Sequence, residues 1–469
     1  MKSQLARHTR VVAVATGIAF GFFTGQSWSA GFALQENSGS AIGNAFAGGA
    51  AAAEDASTLW SNPAGLTRIG TPQVAAAVSF ITPSFKFHDE GSQPAAFQPL
   101  GGTGGDAGSV NVVPNLYVAV PINRQWSVGV GVNVPFGLVT EYDDNWLGRF
   151  QAVKTDVKTI NVNPAVAWRV TDTFSVGVGV DWQHIDATLT SRVNYSAALA
   201  QAAGQAAGGG LIPPALVPQI IGATPGLASK ATVEGDDSSW GWNIGMLWDV
   251  TPQTRIGAHY RSSIKYKVGG TVDFDNPAPS VPAPLVPIVG LLATNVNAVL
   301  APGGVSADIK LPDIANVSVF HRLNDRWDLM GDVQFTRWSV FRQLEFVRTT
   351  GQVLSNTPEN FNDAWRVSVG ATYHWSDAWS FRGGLAYDQS PVNTTDRTPR
   401  LPDSDRYWIA IGAQYRFNGN FAVDAGYVYI PMPNADINQN AGSTAANGLI
   451  TGHYESNVNI FSLQLTYSF

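Results

Sequence analysis

Hydrolytic or redox chemistry needs a nucleophile, a base and an orienting group brought together, or a compact set of metal ligands. His184, His259, His321, His374 and His453 lie scattered, with no nucleophile motif beside them and no H-E-x-x-H spacing. The chain has no cysteine, which removes disulfides, thiol nucleophiles and thiolate metal sites. No catalytic residue, metal ligand or cofactor is therefore expected. What the residue types offer instead is burial of apolar surface. Residues 196 to 230 carry Leu211, Ile212, Leu216, Val217, Ile220 and Ile221, and residues 277 to 302 carry Val286, Ile288, Val289, Leu291, Leu292, Val299 and Leu300. Apolar side chains gathered on a water-facing rim mark a site for a hydrophobic ligand. Two loops that pack on each other as a cap are the other reading, and a crevice between them satisfies both. Pro213, Pro214, Pro218, Pro279, Pro282, Pro284 and Pro287 argue against long uninterrupted helices there, while short ones fit.

The elements that must carry these loops are strands. Ile160, Val162, Pro164, Val166, Trp168 and Val170 share one face, and Thr159, Asn161, Asn163, Ala165, Ala167 and Arg169 share the other. After a turn at Thr171 and Asp172 the apolar face resumes with Phe174, Val176, Val178, Val180 and Trp182. A period of two with one apolar and one polar or small face is what lipid outside and lumen inside require. Similar short polar turns recur near Asn123, Pro252, Asn324, Ser376 and Asn418. Long connections alternate with them near 88–108, 140–152, 192–233, 275–304, 347–360, 390–404 and 431–454. Short turns on one rim and long loops on the other describe an outer-membrane barrel. With a first strand near 72–87 and a last near 455–469, the count is fourteen.

Composition and export agree. Charged residues make up 13% of the chain, against about 25% in soluble domains. A net charge of -7 argues against nucleic acid as a partner. Residues 1–29 carry Lys2, Arg7 and Arg10, an apolar run from Val11 to Phe23, and Ser27 and Ser29 at a small-residue cleavage site, the pattern of a removable signal peptide. That run falls short of the roughly 18 apolar residues of a spanning helix. The last strand ends Phe461, Leu463, Leu465, Tyr467 and Phe469 on one face, a terminal pattern that resembles the signal read by the barrel assembly machinery.

Ala30 to Leu66 begins Ala-Gly-Phe32, continues through a small-residue run and an acidic pair at Glu54 and Asp55, and reaches Asn62, Pro63 and Ala64. In order and spacing this resembles the N-terminal hatch of the FadL/TodX family of outer-membrane channels for hydrophobic compounds, and the likeness extends to the C-terminus. The resemblance implies an all-β fold: a 14-stranded antiparallel transmembrane β-barrel formed by 72–469 and plugged by a small N-terminal hatch, 30–71. It also implies lateral exit of cargo where the third strand kinks inward, matching Pro135, Phe136 and Gly137, with Gly245 keeping the passage clear and the Asn62 tripeptide touching the kinked strand. Read from residues alone, Pro135 and Gly137 fit either such a break or a simple bulge, and Asn62 fits a turn. Arg382 to Pro391 and Leu401 to Trp408 also match family segments, with Asp403, Asp405 and Arg406 read as a structural charge network.

One departure bears on cargo. Family members that carry fatty acids have basic residues in the deep pocket, at positions that fall on Ser191 and Thr357 here, with Arg192 and Arg348 nearby. Arg192 becomes a head-group ligand only after a one-residue shift, which in a strand flips its face. Fatty acids and neutral aromatic or aliphatic hydrocarbons both remain as cargo. The expected function is passive transport of hydrophobic compounds across the bacterial outer membrane by loop capture, a lumenal pocket, hatch rearrangement and lateral exit. A non-specific diffusive porin or structural barrel is the alternative, distinguished by an open lumen. Expected partners are the cargo, outer-membrane lipid and lipopolysaccharide, and the assembly machinery, with no nucleic acid and a monomeric state.

Overall fold

The computed structural model describes residues 31–440 and 445–469; the expected signal peptide, 1–29, and Ala30 lie outside the described residues. One antiparallel sheet closes on itself, its first strand, Gln73–Asp89, pairing with the last, Ile450–Ser468. Fourteen strands make the wall. Alternation fixes the register: Gln183, Asn243, Asn163 and Asp181 point into the lumen, while Trp182, Trp240, Trp242 and Ile244 face outward.

Five strands are interrupted. The third runs Trp126–Asn133 and resumes as Gly137–Glu141. The seventh to tenth break at one level, since Ile314 lies opposite both Arg261 and Thr336, and Thr336 lies opposite Ala364. Pro312 lacks the N–H a ladder needs, and Asp313 in that break accepts from Arg337 at 2.7 Å and Tyr260 at 3.1 Å. The displaced backbone turns Trp338, Phe341 and Phe361 into the lumen, where all three are buried.

The six short turns lie where the alternation ends. The loop expected at 347–360 is instead mostly strand: Gln343–Arg348 pairs with Val353–Pro358 around a tight turn. Its Ser, Asn and Thr side chains read as loop, yet the paired backbone satisfies the hydrogen bonds that an open loop would leave to water. The two apolar connections fold into short helices, Tyr195–Gly208, Leu216–Ala223 and Val286–Val299.

Residues 31–72 fill the lumen as a hatch with three short helical turns, Ile42–Asn44, Thr58–Ser61 and Pro63–Arg68. Small residues let it approach the wall: a Cβ on Gly43 would lie 2.8 Å from the Cα of Gly412. Wall side chains then hold its backbone. Arg366 donates to the Ala45 carbonyl at 2.6 Å, Arg255 to those of Ala51 and Ala52 at 3.0 and 2.8 Å, and Arg261 to that of Trp60 at 3.0 Å. Arg382 pairs with Glu54 at 2.8 Å, and Gln464 donates to Asp55 at 2.8 Å. These polar contacts anchor the hatch at its middle and lower parts.

Candidate functional site: a cargo path from loops to wall

The second and third strands pair from Pro121 with Ser127 up to Leu116 with Val132, and no further. Above that point Asn111 to Asn115 pair with the first strand alone, and Gly137–Glu141 pairs with the fourth strand alone. The opening is closed at the top where Glu141 N–H donates to the Ala107 carbonyl at 3.1 Å. Behind it stands the hatch. Leu34 N–H donates to the Pro135 carbonyl at 2.8 Å, Gly137 N–H donates to the Phe32 carbonyl at 2.9 Å, and Ala33 lies opposite Phe136. Three hatch residues thus act as a short strand that replaces the missing neighbour. Phe32 anchors them in an aromatic cluster, its ring centroid 4.8 Å from Trp338, 5.5 Å from Phe341 and 6.0 Å from Phe136.

The Asn62 tripeptide and Gly245 lie elsewhere, which corrects two expectations. Asn62 donates to the Ala50 carbonyl at 2.7 Å and the Met246 carbonyl at 2.8 Å, and accepts from Ala64 N–H at 3.0 Å. A Cβ on Gly245 would come within 1.9 Å of the Asn62 Oδ1, and one on Gly177 within 2.4 Å of the Ala64 nitrogen. The tripeptide therefore seats in a groove of small residues on the fifth and sixth strands rather than against the kink. Gly245 makes room for Asn62, not for cargo. Leu59 and Leu66 are what face the lower third strand, at Gly129.

Two cavities lie in line above the kink. The deeper, of about 70 Å³, is bounded by Phe32 and Leu138 at the kink and by Val157, Ile185, Val268 and Phe361 around it. The upper, of about 480 Å³ and open to solvent, is bounded by Ser191, Arg192, Phe274, Val299 and Arg348. Leu189, Val233, Phe346 and Arg400 border both. Arg192 faces this vestibule but is paired with Asp144 at 3.2 Å, and Thr357 lines neither cavity.

Charged side chains reach the deep cavity from positions that a search along the strands for basic residues misses. Arg400 comes from the loop between the eleventh and twelfth strands, and Glu359 from the break in the tenth. Glu359 is buried at that break. Burial lowers Arg400 to about 10, which Glu359 partly offsets. The Asp403 network flagged in the sequence does more than brace a loop: Asp403 pairs with Arg406 and accepts from the Gly31 N–H at 2.9 Å, holding the start of the hatch.

The apolar loops pack on each other. Ile212, Ile220 and Leu292 are buried in a helix cluster with Tyr195, Leu199, Val289 and Val296, so their expected role as capture residues is corrected to that of a core. Ile221 and Ile288 are half-buried. Leu211 and Leu291, 78% and 59% exposed, remain available to a ligand.

A family model described as outer membrane protein transport protein (OMPP1/FadL/TodX) matches residues 20–469. The chain belongs to this family. The long-chain fatty acid transport protein of Escherichia coli O6:H1 is 31% identical over 453 residues, covering 94% of this chain and 96% of that one. Outer membrane protein P1 of Haemophilus influenzae is 28% identical over 466 residues, covering 94% and 95%. Among solved structures, a Pseudomonas aeruginosa FadL homologue superposes with a TM-score of 0.81 at 26% identity, covering 94% of this chain and all of that one. The Pseudomonas putida toluene transporter TodX shares the fold, with a TM-score of 0.66 at 16% identity, covering 93% and 99%.

As a FadL/TodX family member the protein is an outer-membrane β-barrel that transports hydrophobic compounds. Its outward face suits that setting. Trp126 and Trp168 stack at 5.6 Å near the short-turn rim, and Trp327 and Trp379 are exposed at the same level, where indole rings favour the membrane interface.

Proposed function

We propose that the protein moves long-chain fatty acids or aromatic and aliphatic hydrocarbons passively, by capture at the loop helices, descent through the two cavities, and sideways release between the second and third strands. The observation that carries this reading is that Phe32 closes the deep cavity and plugs the unpaired stretch of wall at once. Cargo that fills the cavity presses on the Phe32 cluster, and withdrawal of Phe32 to Leu34 opens a way into the outer leaflet. Pro135, Phe136 and Gly137 frame that exit. Burial of cargo supplies affinity at about 25 cal/mol per Å², and lateral release avoids returning it to water. No energy source beyond the cargo's own gradient is required. The path lies within one chain, which fits a monomer set in lipopolysaccharide and placed there by the assembly machinery that reads Phe469.

The test is to restore regular pairing with Pro135→Val and Gly137→Val together. Uptake of dodecanoate and of toluene should stop while the barrel still inserts. Unchanged uptake would send the cargo downward past the hatch, as in a diffusive porin.

A further inference from the structure

We propose that the deep cavity selects cargo that ends in one group able to accept and donate a hydrogen bond, a hydroxyl or a carboxylic acid that keeps its proton, set between the Arg400 guanidinium and the Glu359 carboxyl. The inference rests on the transport route proposed above and names the cargo that route takes.

Glu359 is 5% exposed and borders a cavity walled by Phe32, Val157, Ile185, Val268 and Phe361. Among the described residues none donates a hydrogen bond to its carboxyl oxygens. Arg400 uses its Nη1 on the Lys154 carbonyl and the Thr155 Oγ1, both at 3.1 Å. Among the described residues none accepts from its other nitrogens. The two side chains influence each other electrostatically without forming an ion pair, and both border the deep cavity with hydrogen-bonding capacity to spare.

A buried polar group without a partner is costly, and a ligand that supplies the partner recovers the difference. An alkane leaves both groups without a partner, and a methyl ester accepts but cannot donate. A carboxylate anion satisfies Arg400 but confronts Glu359, and two carboxyls at one site are compatible when they share one proton. A hydroxyl, or an acid with that shared proton, meets both demands. The charged groups that act on Glu359 are Arg400 and Asp396, the second opposing ionisation.

The test uses the full-length mature chain in lipid nanodiscs, with displacement of a fluorescent apolar probe by 1-dodecanol, dodecanoic acid, methyl dodecanoate and dodecane. The wild type should bind the alcohol and the acid about tenfold more tightly than the alkane, with the ester between them. Glu359→Leu should abolish that preference and leave dodecane affinity intact, which also reports a folded cavity. Glu359→Gln, whose amide donates and accepts, should retain the preference for the alcohol. Raising the pH from 7 to 9 should weaken the acid and spare the alcohol, which separates the two sources. Equal affinity for all four ligands, or an unchanged preference in Glu359→Leu, overturns the inference and leaves the transport reading standing. No displacement by any of them from a folded barrel overturns the transport reading itself.

Discussion

The backbone N–H of Gly137 donates to the carbonyl of Phe32 at 2.9 Å, so the edge of the kinked third strand is completed by the hatch and not by the wall. With the Leu34 to Pro135 bond it makes two backbone hydrogen bonds, each worth about 1 kcal/mol net. The three aromatic contacts of Phe32 add about 0.5–1.5 kcal/mol each. Cargo that buries about 150 Å² of apolar surface contributes about 4 kcal/mol. The two sums are of one order, so cargo in the deep cavity is able to offset release of this hatch segment. The middle of the hatch, tied by Arg366, Arg261, Arg382 and Gln464, need not move.

Gly245→Ala places a methyl group 1.9 Å from the Asn62 Oδ1. The tripeptide must then leave its groove on the fifth and sixth strands. Overpacking of this kind costs about 1–3 kcal/mol. Single-channel recording should show increased leak conductance with the barrel still closed, and a tight wild-type baseline in the variant would show that Asn62 has other room.

The loop residues separate into two groups. Leu292→Asp buries a charge in the helix cluster and should unfold the cap, reducing its protection in hydrogen exchange. Leu291→Asp, on the exposed side, should leave protection unchanged and raise the half-saturating cargo concentration several-fold. If both variants exchange alike, the cluster is not the unit described.

Most of the frame was legible in the sequence because a membrane barrel obliges lipid-facing and lumen-facing residues to alternate, and short turns such as Thr171–Asp172 punctuate that alternation. What was not legible depends on approach in space. Phe32 lies more than a hundred residues from Gly137, and nothing local marks them as partners. Arg400 was not legible because Ser191 and Thr357 mark positions in the wall, whereas this guanidinium enters from a loop. Gly245 makes room for Asn62 across more than a hundred residues, a fit that neither position signals locally. The hairpin at 343–358 was hidden by polar side chains whose backbone pairs all the same.

Hatch docking should depend on pH through Glu36, which is fully buried with both carboxyl oxygens unpartnered. Burial is the main cause that pushes it up to about 8 from 4.5, against the opposing pull of Arg406 and Arg366. A carboxyl raised in the docked state favours docking fully below about 4.5, and that contribution is lost as pH rises to about 8 and is constant above. Hydrogen exchange in residues 32–46 should therefore quicken between pH 5 and pH 8 beyond the intrinsic rate. Glu36→Gln should remove that excess, and an excess that persists would place the titrating group elsewhere.

The central claim is that Phe32 to Leu34 must leave the opening beside the third strand for cargo to pass. Ala33 and Phe136 face each other as a non-hydrogen-bonded antiparallel pair, a geometry with Cα atoms about 4.5 Å apart that a disulfide spans. The natural chain has no cysteine to interfere. In the Ala33→Cys, Phe136→Cys double variant, uptake of labelled dodecanoate should be abolished under oxidation and restored by reductant. Uptake that proceeds equally with the bond closed would contradict the account.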